Sequence, residues 1–131
     1  MKRLRNPGRL ALGACALALA CGAQAWAHHS QAMFDPGRSV QLEGTVKEFQ
    51  WTNPHIWIEL TVTEGGQAVQ YSIEGGSPVG LIRRGWTRSS LKAGDHIKLI
   101  MHPLRDGSHG GNFVSATLPD GHVIGDAGYG A

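Results

Sequence analysis

His55-Ile56-Trp57-Ile58-Glu59-Leu60-Thr61-Val62 alternates strictly between aliphatic residues and residues with polar or aromatic side chains. A repeat of two residues is typical of a strand with one face in a core, so this run predicts a half-buried strand. The inward set is Ile56, Ile58, Leu60 and Val62. The outward set is His55, Trp57, Glu59 and Thr61.

Further alternations on both sides of this run predict four more strands. Residues 39–49 are expected to form the first strand. The hairpin turn Glu64-Gly65-Gly66-Gln67 leads into the third, over residues 69–73. Residues 97–101 are expected to form the fourth strand and residues 114–118 the fifth. The fifth strand is predicted to place Val114, Ala116 and Leu118 inward.

One short helix is expected between strands three and four. Ser77 can cap it, Pro78 suits its first turn, and Gly85 can end it. The order β-β-β-α-β-β is that of a small five-stranded OB-like barrel, and the chain is therefore expected to be mostly β. A small Greek-key sandwich is the alternative that the same order allows.

The first 27 residues are typical of a secretory signal peptide. A basic start precedes an apolar run from Leu10 to Ala20, and Ala25-Trp26-Ala27 provides a small-residue cleavage site. The run is shorter than the about 20 residues that a membrane-spanning helix needs, so we expect no transmembrane span after signal cleavage. Lipidation at Cys21 is the rival interpretation. Export predicts a periplasmic or secreted protein of a Gram-negative bacterium.

Residues 28–131 are then expected to form a single domain with a flexible, Gly-rich tail from Gly121. They contain eight Lys and Arg against ten Asp and Glu, a balance of −2, which argues against a nucleic-acid partner. Both cysteines, Cys15 and Cys21, precede this domain, so it has neither a disulfide nor a thiolate ligand.

All seven histidines fall in the expected mature domain. Cleavage after Ala27 would make His28 the first residue, and its amine and imidazole could then chelate one ion, with His29 beside them. A site of amine and imidazole nitrogens suits Cu(II), with Zn(II) as the other option. The competing interpretation is that His28 and His29 are only a solvated start of the chain.

Two further histidines are candidate ligands. His55 begins strand two on its outer face, and His102 ends strand four before Pro103. In an OB barrel the two are expected near opposite ends of strand one, 20 Å or more apart at ~3.3 Å per residue. His102 is then the easier partner for His28. His96, His109 and His122 are expected to be ordinary surface residues.

An alternative site would use aromatic side chains. His55, Trp57 and Trp86 could form a ligand-binding surface, although a tryptophan in a small barrel also covers a core. Arg83, Arg84 and Arg88 surround the helix and could hold an anionic group or form a solvated face.

Several motifs together resemble those of a family of small exported proteobacterial proteins catalogued as a domain of unknown function. The matching stretches are Ala27-His28-His29-Ser30, Phe34-Asp35, Gly44-Thr45-Val46, Thr52-Asn53-Pro54-His55-Ile56-Trp57, Glu74-Gly75-Gly76-Ser77-Pro78, Gly85-Trp86, Gly94-Asp95 and His102-Pro103-Leu104-Arg105-Asp106-Gly107. The resemblance implies export and a compact β-rich domain. It places His28, His29, His55 and His102 inside motifs and implies no established activity.

These observations favour a small exported metal-binding protein, with copper as the metal and His28, His29, His102 and His55 as candidate ligands. The alternative is a non-catalytic OB-like module that binds an envelope protein or a small ligand. Catalysis ranks third: a copper site of this kind can activate oxygen, but the sequence indicates no substrate groove, and it contains no hydrolase motif or phosphate-binding loop.

Overall fold

The computed structural model describes residues 31–125. The elements in chain order are β1 (Val40–Gln50), β2 (Trp57–Glu64), β3 (Gln67–Glu74), the helix α1 (Pro78–Ile82), β4 (His96–Pro103), β5 (Gly110–Thr117) and β6 (Val123–Gly125). All of them belong to the second of the two units into which the chain divides, Phe34–Ala131. Among residues 31–125 there is no helix long and apolar enough to cross a membrane.

Five of the strands close into a barrel. The order around the sheet is β3-β2-β1-β4-β5-β6, and a parallel pairing of β3 with β5 closes the ring. β1 lies between β2 and β4 and runs antiparallel to both. This arrangement confirms the predicted mostly β fold, an OB-like five-stranded barrel with one short helix between the third and fourth strands. The closing pairing joins residues 72–74 of β3 to residues 110–112 of β5.

The core follows the predicted alternation in β2. Ile58 and Leu60 are fully buried, as is Ile56 just before the strand. Their neighbours from the other strands include Ile73, Leu99 and Phe113, each with no exposed surface. The tight turn at Gly65 and Gly66 sets the pairing of β2 with β3, because both glycines adopt the positive φ that a two-residue hairpin requires.

The helix α1 covers one part of this core. The Ser77 side chain accepts a hydrogen bond from the Gly80 amide at 3.2 Å, and Pro78 occupies the first turn. The chain leaves the helix through Gly85, at a φ of 85°, while the Trp86 amide donates to the Leu81 carbonyl. Leu81 and Trp86 are thereby held in the core.

The fifth strand differs from the prediction. It begins at Gly110, and Phe113 points inward, whereas Val114 was expected to do so. The pairing with β4 shifts between Ile100 and Met101, which leaves Val114 as an extra residue in a bulge. The alternation therefore changes phase at Val114, and Ala116 is buried as predicted.

The predicted flexible tail is also partly wrong. Within it, Val123–Gly125 forms β6 and pairs antiparallel with residues 115–117 of β5. Residues 126–131 lie outside the described part of the chain.

Candidate functional site

A row of four side chains crosses the outer face of the barrel. Trp57 pairs with Glu74, Glu74 with Asn112, and Asn112 with His102, so the row crosses β2, β3, β5 and β4. The core residues next to them in sequence point into the barrel, and alternation therefore puts these four on the other face. We call Trp57, Glu74, Asn112 and His102 the outer row.

Glu74 is a nearly buried carboxylate in this row. It is 8% exposed, and its Oε1 is in direct contact with Nδ1 of His55. The loop that carries His55 is tied to the end of β3, because the Ile56 amide donates to the Gly76 carbonyl and the Gly75 amide to the Ile56 carbonyl. Asn112 donates to the backbone carbonyl of Glu74 at 3.3 Å. His55 and Glu74 therefore form a positioned pair.

The contact with Glu74 determines which nitrogen of His55 remains available. An ionised carboxylate only accepts hydrogen bonds, so Nδ1 of His55 donates to it. In the described part of the chain, Nε2 of His55 has no hydrogen-bond partner. The His55 side chain is 28% exposed, and Nε2 can therefore meet a ligand. A carboxylate behind an imidazole is the usual support of a metal-binding histidine.

His102 is held in the same way by a backbone carbonyl. Its Nδ1 donates to the carbonyl oxygen of Arg38 at 2.7 Å, and a carbonyl can only accept. The segment that carries Arg38 runs beside the end of β4: Asp35 donates its amide to the Pro103 carbonyl at 2.9 Å, and Phe34 pairs with Leu104. The neutral His102 imidazole is therefore protonated on Nδ1, and the lone pair of Nε2 is available for a ligand.

The outer row corrects the expected separation of His55 and His102. Along β1, the two histidines lie near opposite ends of the strand. Around the other side of the barrel, the β3–β5 pairing brings β3, which contacts His55, within two strands of β4, which carries His102. Glu74 and His102 are two strand spacings apart, which limits their Cα separation to about 10 Å. The expected separation of 20 Å or more between His55 and His102 did not include the β3–β5 pairing. It is wrong, because His55 contacts Glu74 and Glu74 lies two strands from His102.

The remaining histidines are engaged differently. Both ring nitrogens of His96 have partners, Thr45 Oγ1 at 3.5 Å and Glu43 Oε1 at 3.2 Å. His122 contacts the Asp120 carboxylate at 3.2 Å. The ring of His109 lies against Tyr71, with centroids 5.0 Å apart. His96 in particular has no nitrogen left to bind an ion.

Trp86 does not belong to a binding surface. It is 4% exposed and packs edge-on against Phe113, with ring centroids 5.4 Å apart. Its indole N–H donates to the Gly125 carbonyl at 3.3 Å. The prediction that Trp86 joins His55 and Trp57 in a ligand-binding surface is wrong, because the helix end turns Trp86 into the core. Trp57 remains half-buried on the outer face.

His28 and His29 lie outside the described residues, as does Cys21. Within residues 31–125, no three or more His, Cys, Asp or Glu side chains are grouped so that they could hold a metal ion. His55 and the outer row therefore do not by themselves form such a group. His55 and His102 contribute at most two imidazoles to a metal site.

Sequence reasoning did not identify Glu74 or Asn112. The position of Glu74 could have been predicted from the two-residue turn at Gly65 and Gly66, because a hairpin of that length places Trp57 opposite Glu74. Asn112 had no such signal, because its place in the row depends on the β3–β5 closure.

The fold and the outer row define the class of protein, a small OB-like barrel with two oriented histidines on its outer face. The chain belongs to a family of unknown function (DUF6152), whose model matches residues 16–113. No curated protein and no solved structure matches the chain.

Proposed function

We propose that this protein is a small exported metal-binding protein of the periplasm, and that the metal is copper, with zinc as the second option. The ligands are the amine and imidazole of a processed N-terminal His28, together with His29 and either His102 or His55. Nitrogen donors of this kind suit Cu(II) best among the divalent first-row metals.

The observation that carries the proposal is the orientation of His102. Its Nδ1 donates to Arg38, which leaves Nε2 for an ion, and this is the support that metal-binding histidines use. The chain reaches this point from the N-terminal side, because residues 34–38 run beside the end of β4. His28 stands six positions before Phe34 in the sequence.

His55 is the other candidate ligand from the described part of the chain. Its Nδ1 contacts Glu74, so its Nε2 is also available. Among the described histidines, His55, His102 and the exposed His122 each have a partner at Nδ1 alone, whereas His96 uses both ring nitrogens locally.

The test is Cu(II) binding by the exported protein, with the first residue established by mass spectrometry. Replacing His28 and His29 together by alanine is expected to abolish tight binding, and His102→Ala to weaken it at least about tenfold. His96→Ala is the matched control, expected to bind as the original chain does. Unchanged affinity after loss of His28 and His29, or a chain that begins elsewhere, would refute the N-terminal site.

A second candidate function is a binding module for an envelope protein or a small ligand. The favouring observation is that Trp57 stands half-exposed on the β2–β3 face, the part of an OB barrel that commonly holds ligands. Its test is capture of a partner in the presence of a chelator. Loss of capture in Trp57→Ala supports the module, and retention argues against this face.

A further inference from the structure

The positive charge of this domain is concentrated in one segment. From Gly75 to Gly94 the chain has no Asp or Glu, but it carries Arg83, Arg84, Arg88 and Lys92. The rest of residues 31–125 has four basic and nine acidic residues, a balance of −5. A domain that is acidic overall therefore has one strongly basic region, which comprises α1 and the loop after it.

The same segment exposes aliphatic side chains. Val79 and Ile82 on α1 are each 58% exposed, although both are large hydrophobic residues. Pro78 and Leu81 on the other side of the helix are buried. The helix is thus anchored by one face and presents Val79 and Ile82 to the solvent from the other. We call residues 78–92 the α1 segment.

Exposed aliphatic residues beside arginines suit an anionic lipid surface. Arginines bind the headgroup phosphates, and aliphatic side chains at the same place can enter the boundary between headgroups and acyl chains. Single-stranded nucleic acid fits less well, because it needs exposed aromatic rings for stacking and Trp86 of this segment is buried. An acidic protein would also match the charge and the aliphatic residues, and it becomes the assignment if the chain does not bind anionic vesicles.

We infer that the α1 segment is a docking surface for membranes that contain anionic phospholipids. Arg83 and Arg88 bind phosphate groups, while Val79 and Ile82 insert at the interface. Acidic side chains that lie more than about 10 Å from the membrane surface weaken this binding little, because 0.1 M salt screens them. This inference is independent of metal binding, because it uses none of the histidines.

The experiment is co-sedimentation of the exported protein with vesicles in 0.1 M salt. One set contains 30% phosphatidylglycerol in phosphatidylcholine, and the other contains phosphatidylcholine alone. We expect binding to the first set only. Removing two arginines in Arg83→Gln/Arg88→Gln is expected to lower partitioning about 25-fold, at about fivefold for each charge near the membrane. Val79→Ser/Ile82→Ser is expected to lower it about tenfold.

The matched control removes two positive charges from the barrel wall, in Lys47→Gln/Lys98→Gln. Both lysines are exposed, so this variant has the same net charge as the arginine variant. All variants share one N-terminal segment, and differences between them therefore report the substituted residues. Equal losses in both charge variants, or unchanged partitioning in the arginine or the aliphatic variant, would overturn the inference. Salt-sensitive self-association without vesicles would assign the segment to a second copy and overturn it too.

Discussion

Replacing His55 by alanine is expected to destabilise the domain through Glu74 rather than through lost packing. The Glu74 side chain is 11% exposed, and Nδ1 of His55 contacts its carboxylate. Removing one member of a fully buried pair costs about 3–5 kcal/mol, because the other charge stays buried and uncompensated. The His55 imidazole is 28% exposed, so water can enter the space it leaves, and we expect about 2–3 kcal/mol.

The measurement is urea unfolding at pH 7 with a chelator present, so that metal binding does not contribute. His55→Ala, Glu74→Gln and the double variant form a cycle. In the double variant no buried charge is left behind, and its loss is expected to be at least about 1 kcal/mol smaller than the sum of the single losses.

The exposed pair of His96 with Glu43 is the matched control. The chemistry is the same, but the side chains are 62% and 53% exposed at a distance of 3.2 Å. His96→Ala is therefore expected to cost less than about 1 kcal/mol. If His55→Ala costs no more than His96→Ala, or if the cycle is additive, then Glu74 does not depend on His55 and the argument for an oriented imidazole is refuted.

Two other predictions concern Tyr71 and the tryptophans. The hydrogen bond from Tyr71 to Glu64, helped by partial burial and by the Glu64 charge, raises the pKa of Tyr71 from its ordinary value of 10.0 to about 12. The neutral phenol is therefore favoured by folding, and its contribution is complete below pH 10 and lost as the pH rises toward 12. Absorbance titration in a Tyr129→Phe background, where Tyr71 is the remaining tyrosine, should show the raised pKa. Glu64→Gln should lower the pKa of Tyr71. A Tyr71 that titrates near 10 with Glu64 intact would contradict the prediction. Trp86→Ala should lower the free energy of unfolding by about 3–5 kcal/mol, and Trp57→Ala should lower it clearly less. Equal losses in urea unfolding would contradict the assignment of Trp86 to the core and of Trp57 to the surface.

The candidate site was only partly predictable. His55 and His102 could be selected because each is adjacent to a proline-containing turn or strand end, and alternation alone predicts that His55 is on the outer face. Their expected separation was too large because it was counted along β1, which has Gln50 near His55 at one end and Val40 near His102 at the other. The shorter route across β5 depends on a parallel pairing between strands that are distant in sequence.

The amino-acid sequence by itself determined the features that depend on a few adjacent residues. The period of β2, the Gly65-Gly66 hairpin and the Ser77-Pro78 helix start are of this kind, since side-chain alternation, positive φ and capping are local properties. The order of the elements then sufficed to predict an OB-like barrel.

Only the tertiary structure decided which residues from distant strands come into contact. The β3–β5 closure places Asn112 beside Glu74 and His102, and the bulge at Val114 turns Phe113 inward against Trp86. These contacts join residues about 10 to 40 positions apart, and local pattern carries no information on which distant strand will supply the partner. The physical reason is that closing the barrel is favourable because it buries the whole hydrophobic core. The environments of Glu74 and Trp86 therefore exist only in the closed barrel.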